Sequence, residues 1–153
     1  MTEMTENAAG RQDGAAARAD DTAAVVLVVD DAATVRAYHG SILAEAGFVV
    51  REAANGYEAL ESTLGERFAL IVVDVNMPVM DGYTFVEEVR RGPLSPDVPI
   101  IMISTEREAG DAQEAYRRGA NLYLVKPTDP EQLALTARLL TGRLAEPGSD
   151  GAS

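Results

Sequence analysis

Five short apolar runs recur along the chain: Val25–Val29, Phe48–Val50, Leu70–Val73, Ile100–Ile103 and Leu122–Val125. Four of them are nearly continuous in Val, Ile and Leu, the pattern of a strand covered on both faces. The second passes at once into Arg51 and Glu52, which predicts a sheet edge. Helical patterns fill the gaps. Val35, Tyr38, Ile42, Leu43 and Ala46 share one face of a first helix, and Gly47 supplies its stop. Ala59, Leu60, Thr63 and Leu64 form a second stripe behind the Asn55-Gly56 turn, and Phe85, Val86 and Val89 begin a third after Gly82. The stretch from Ala109 to Arg118 is alanine-rich and polar, the weakest pattern of the set, with Gly119 closing it. Thr128-Asp129-Pro130-Glu131 reads as a capping box with proline in the first turn, ahead of Leu133, Ala137 and Leu140.

Strand followed by helix, five times over, predicts an α/β fold: a doubly wound, five-stranded parallel sheet with helices on both faces. The functional crevice of such a sheet lies at the carboxyl ends of its strands. Those ends carry Asp30-Asp31, Asp74, Ser104-Thr105 and Lys126-Pro127. A flavodoxin-like strand order, 2-1-3-4-5, would make them neighbours.

Flanking composition sets the domain limits. Residues 1–22 are Ala, Gly, Thr and acidic residues without an aliphatic run, and residues 142–153 have a similar make-up. Two disordered tails around one domain at 23–141 are therefore expected. The first segment lacks the apolar core of a secretory signal, and no apolar run is long enough to span a bilayer. Cytoplasmic residence is the resulting expectation.

Charge narrows the partners. Against 25 Asp+Glu stand 13 Lys+Arg, a formal net charge of −12. This disfavours nucleic acid, whose binding needs clustered cations, and docking on anionic membranes. With no cysteine and the single histidine His39, thiolate nucleophiles and zinc sites with two imidazoles are excluded. Any chemistry must rest on carboxylates.

Three clustered carboxylates repel one another and resist ionising. A bound divalent cation resolves the conflict, and hard oxygen ligands suit magnesium. Carboxylates, a lysine and a hydroxyl beside Mg2+ make a phosphoryl-transfer site. Asp74 is the candidate nucleophile, because it ends the central strand and opens the loop VNMPVMDG. Asp81 reads as a helix cap. His39 reads as part of a packed helical face rather than as a phosphotransfer residue.

The segments VVDD, DVNMPVMDG, MIST and YLVKP, in this order and at these strand ends, resemble the receiver domain of two-component response regulators. The likeness is to the single-domain, CheY-like kind, and it runs from about Val25 to Leu140. It implies that Asp74 accepts a phosphoryl group from the phosphohistidine of a histidine kinase. Asp31 would ligate Mg2+ directly, Asp30 mainly through a metal-bound water, and the Asn76 backbone carbonyl would complete the protein ligands beside Asp74. Ser104 and Lys126 would each hold a phosphoryl oxygen, and the Lys126–Pro127 bond would be cis. Tyr123 would be the switch aromatic, turning inward as Ser104 moves toward the phosphate.

The resemblance further implies a monomeric binding module, enzymatic only toward its own phosphorylation and dephosphorylation. Its output would be a downstream protein bound by the fourth helix, fifth strand and fifth helix, with Arg117, Arg118 and Tyr123 as contributors. Chemotaxis control of a flagellar motor switch is the first expectation; a phosphorelay intermediate or a phosphate sink for a kinase comes next. Thr105 stands where chemotaxis receivers often have alanine, and Thr128 where an aromatic is common. Asn76 and Glu106 match the chemotaxis-type pattern at positions linked to phosphate lifetime, implying turnover in seconds to minutes.

Two other classes fare worse. An FMN carrier needs a hydroxyl- and glycine-rich phosphate loop after the first strand, where this chain has Asp30-Asp31-Ala32-Ala33-Thr34. An aspartyl-phosphate phosphohydrolase wants an acid–base aspartate two residues after the nucleophile, and Asn76 stands there.

Overall fold

A computed structural model describes residues 24–93 and 96–143. The tail expected at 1–22 lies outside the described residues, as does the other tail beyond Arg143. Five strands and five helices alternate: β1 (Val25–Val29), α1 (Ala33–Glu45), β2 (Val49–Ala53), α2 (Gly56–Gly65), β3 (Leu70–Asp74), α3 (Gly82–Arg91), β4 (Ile100–Ser104), α4 (Ala109–Arg118), β5 (Leu122–Val125) and α5 (Pro130–Thr141). All pairings are parallel, in the spatial order β2-β1-β3-β4-β5. The expected doubly wound sheet is the fold observed.

Alternation along the strands divides the core into two layers. Leu27, Val29, Ile71, Val73, Ile100 and Met102 face Ala59 of α2, Phe85, Val86 and Val89 of α3, and Ala115 of α4. Val26, Val28, Leu70, Val72, Ile101, Ile103 and Leu124 face Leu43 of α1 with Leu133 and Ala137 of α5. Burial on both faces is why these strands read as unbroken apolar runs.

Local differences from the sequence reading have identifiable causes. The second strand is displaced to Val49–Ala53 and includes Arg51 and Glu52. As the edge strand it pairs on one side only, and its charges reach neighbouring helices. Arg51 pairs with Glu66 at 3.1 Å and Glu52 with Arg36 at 2.9 Å. The buried face of α1 is His39, Gly40 and Leu43, with Ile42 and Ala46 half-buried beside it, whereas Tyr38 is 42% exposed. In α2 the buried positions are Gly56, Ala59 and Thr63, and Leu64 faces outward. The polar α4 forms nonetheless, since the Asp111 carboxylate accepts the Glu108 backbone N–H at 3.2 Å and Gly119 closes the helix at φ 119°.

The cap of α5 is Asp129, whose carboxylate accepts the Gln132 N–H at 3.1 Å, with Pro130 in the first turn. Thr128, expected to cap it, is instead buried and spends its hydroxyl on His39.

One tie spans the sheet end remote from the strand carboxyl termini. Arg90, at the end of α3, donates to the carbonyl oxygens of Pro96, Val98 and Gly119 and to Asn121 Oδ1, at 2.7–3.1 Å. Asn121 Oδ1 also accepts the Ile100 N–H at 2.8 Å. No helix among the described residues is long and apolar enough to cross a membrane.

Candidate functional site

The central strands deliver their last residues to one point. Asp74 is the final residue of β3 and Ser104 of β4, and both are buried. Asp30 follows β1 and is 2% exposed, while Asp31 beside it is exposed. The backbones are stitched together here. Val75 N–H donates to Ile103 O at 3.0 Å, and Lys126 N–H to Ser104 O at 2.8 Å. Asp30 Oδ1 accepts the Ala32 N–H at 2.9 Å, which orients the carboxylate as α1 begins.

Asp30, Asp31 and Asp74 each present a carboxylate oxygen within 4.8 Å of the others. Lys126 Nζ reaches in from the turn directly after β5, 3.3 Å from Asp30 Oδ2 and 3.1 Å from Asp74 Oδ1. The second approach is close but lacks hydrogen-bond alignment, so buried Asp74 Oδ1 has no hydrogen-bond donor. An ionised oxygen without a donor is expensive to bury, and it points to a cation. The hard, anionic donor set fits Mg2+.

Burial, more than repulsion among the carboxylates, raises the pKa of Asp74. Lys126 works against burial, Asp30 reinforces it, and a backbone hydrogen bond from Asn76 opposes it. For Lys126, burial acts to lower the pKa, but contact with Asp74 and the charge of Asp30 outweigh it and leave it raised. The Asp74 carboxyl therefore holds its proton more tightly than a free aspartate does, and the Lys126 ammonium holds its own more tightly than a free lysine.

The loop leaving Asp74 is built for close approach. A Cβ on Gly82 would collide with the Asp74 carbonyl oxygen and lie 2.9 Å from Val75 Cα, so only glycine lets α3 start against β3. Asp81 caps α3 as expected, accepting the Thr84 N–H at 2.9 Å. Val79, 87% exposed, holds φ at 72°, a left-handed conformation that β-branched residues rarely adopt. Asn76 is exposed, with Nδ2 3.5 Å from Ser104 Oγ, and that oxygen also accepts the Glu106 N–H at 3.0 Å. The Lys126–Pro127 peptide is cis.

Tyr123, in β5, is half-buried, and its hydroxyl donates to the Glu106 carbonyl at 3.0 Å. It is thus tied to the loop that follows Ser104. Of the two arginines expected on the neighbouring surface, Arg117 pairs with Glu114. Arg118 is more engaged, pairing with Glu114 at 2.6 Å and Glu87 at 3.4 Å and lying 5.4 Å over the Tyr83 ring. Sequence reasoning missed Arg36, whose Nη1 donates to the Asp30 carbonyl oxygen at 2.7 Å. No local pattern marks that bond, because the other half of the arginine fork reaches Glu52 on β2.

The family model for the response regulator receiver domain matches residues 26–138. Chemotaxis protein CheY4 of Vibrio cholerae has a solved structure similar to this chain, 41% identical, with a TM-score of 0.74 over 78% of this chain and 99% of that one. The receiver domain of a sensor histidine kinase from Pseudomonas aeruginosa, solved with magnesium coordinated in its active-site cleft, is 28% identical, with a TM-score of 0.73 over 79% and 99%. A probable transcriptional regulator, ycf27, of Porphyridium aerugineum is 35% identical over 82% of this chain and 51% of its own length. The chain thus spans about half the length of the curated relatives it matches.

Proposed function

Because the chain belongs to the response regulator receiver domain family, we propose that it takes a phosphoryl group onto Asp74 from the phosphohistidine of a histidine kinase, and that this changes its affinity for a partner protein. The observation that carries the reading is the buried Asp74 oxygen without a hydrogen-bond donor, facing Lys126, Asp30 and Asp31. An Asp74 carboxylate oxygen attacks phosphorus in line, the phosphorus–nitrogen bond breaks, and the departing imidazole takes up a proton. Lys126 moves from ion-pairing with the carboxylate to pairing with a phosphoryl oxygen. The Ser104 oxygen accepts the Glu106 N–H and has its own proton to donate to another phosphoryl oxygen. Asp30, Asp31, Asp74 and the Asn76 carbonyl are the residues to hold Mg2+, which when bound neutralises charge on the transferring group.

Coupling to partners runs through Tyr123, tied to the loop after Ser104. The surface it borders, α4-β5-α5, exposes Tyr116, Leu135 and Leu139, and this is the proposed target face. The protein performs no turnover beyond its own phosphorylation and dephosphorylation, and its site of action is the cytoplasm, where ATP-fed kinases work. Chemotaxis output, with the flagellar motor switch as target, is supported by the 41% identity to CheY4. Gene control is the second reading, favoured by curated relatives named as transcriptional regulators.

Acetyl phosphate with Mg2+ tests the core of this. The wild-type chain gains the mass of one phosphoryl group, and Asp74→Asn gains none. Phosphate uptake by Asp74→Asn overturns the assignment. A panel of histidine kinases and candidate targets then separates the two outputs.

A further inference from the structure

His39 and Thr128 share a hydrogen bond of 3.0 Å where the residues are 2% and 4% exposed. The Tyr38 hydroxyl donates to the Thr128 carbonyl oxygen, also at 3.0 Å. Both bonds join α1 to the turn that carries Lys126, across 89 and 90 residues of chain. A cavity of about 300 Å³ runs alongside, bordered by Val35, Thr105, Lys126 and Pro127 as well as these residues. Side chains lining open space lose dispersion contacts on that side, so polar ties do more of the locating.

The start of α1 is anchored at the acidic cluster. The helix starts at Ala33, directly after Asp30, Asp31 and Ala32, and Arg36 of its first turn grips the Asp30 carbonyl oxygen at 2.7 Å. One helix therefore bridges the loop that holds two of the carboxylates and the loop that holds the lysine. We propose that His39 and Thr128 are a positioning pair, which fixes Lys126 between Asp30 and Asp74 through the α1 bridge. Neither residue touches the reacting group. The inference rests on Asp74 as phosphoacceptor and adds to that reading a specific control on its rate.

Rates of phosphoryl uptake from acetyl phosphate in Mg2+ on the full chain decide it. His39→Leu keeps apolar bulk and removes the hydrogen bond, and Thr128→Val exchanges one hydroxyl for a methyl. Each lowers the rate at saturating acetyl phosphate by about tenfold, the scale of a slightly misplaced reacting group. The double variant is no slower than the slower single, because both break one bond. His39→Gln, whose amide reaches the same position with a polar atom, restores the rate to within about twofold of wild type. Wild-type rates in both single variants overturn the proposal. So do additive losses in the double variant, or a loss in His39→Gln equal to that in His39→Leu, which marks a packing role. Should His39→Leu fail to fold, Thr128→Val against His39→Gln decides by the same criteria. Label on Asp74→Asn would instead sink the phosphoacceptor reading, an outcome that the positioning variants cannot produce.

Discussion

Lys126 Nζ lies 3.1 Å from Asp74 Oδ1, yet the two groups are not aligned as a hydrogen bond. The pair attracts without locking. For the role proposed for Asp74, a fully satisfied carboxylate would serve poorly; this one keeps an oxygen without a hydrogen-bond donor while its charge is partly balanced.

The first consequence is a stability conflict at Asp74 itself. Its pKa is raised chiefly by burial, so the folded state binds the proton more tightly than the unfolded chain does. Ionisation then costs stability. The cost is absent in acid, where the carboxyl is protonated in both states, and grows as pH rises through the raised pKa. Asp74→Asn is accordingly more stable than wild type at neutral pH, and the advantage shrinks toward acid. Melting temperatures of both proteins across pH check this; an advantage that grows in acid contradicts it.

Lys126→Ala acts in the opposite direction. It strands two buried carboxylates, Asp30 and Asp74, and lowers stability by about 1–3 kcal/mol. Adding Asp74→Asn recovers much of that loss, because one of the stranded charges disappears. The Lys126 pKa is raised, so its contribution holds below the ordinary lysine range and fades as pH climbs through the raised value. Urea unfolding of the two singles and the double gives the cycle.

On the proposed reading magnesium binds the folded chain alone, since the three carboxylates meet only there. Thermal stability rises with Mg2+ and falls again with EDTA; at one hundred times Kd the gain is about 2.7 kcal/mol. Asp31 is exposed, so Asp31→Asn folds normally and weakens Mg2+ binding by at least about tenfold. Isothermal titration of wild type and variant tests both statements.

Gly82→Ala has no room for its methyl. The collision is with the backbone of Asp74 and Val75, so α3 or the end of β3 must shift. A loss of about 1–3 kcal/mol follows, together with slower phosphoryl uptake. The control is Val79→Gly, which relieves a positive φ of 72° at an exposed residue and raises stability by about 1 kcal/mol. Denaturant midpoints of the two variants move in opposite senses from wild type, and uptake slows in Gly82→Ala alone.

The sheet was readable from the chain because its inner strands are buried on both faces, so Val, Ile and Leu run without interruption. Asp30, Asp31, Asp74 and Lys126 were readable for a related reason: each closely follows or ends such a run. What escaped was polar and long-range. Arg51 and Glu52 look unlike strand residues, since an edge strand answers to the helices beside it. Thr128 satisfied the local rule for a cap, but a buried histidine 89 residues away competed for its hydroxyl. Arg36 and Arg90 carried no local signature at all, because their partners, mostly backbone carbonyls, are brought close only by folding.

Arg90 gives the molecule a mechanical polarity. Its guanidinium ties the ends of three segments on the side of the sheet away from the carboxylates, much as a foot anchors a tuning fork. The opposite rim has open loops, a strained valine and a buried carboxylate oxygen without a hydrogen-bond donor. Hydrogen exchange at the amides of Ile100 and Asn121, which bond to Asn121 Oδ1 and the Ile100 carbonyl, stays slow whether or not the rim is altered.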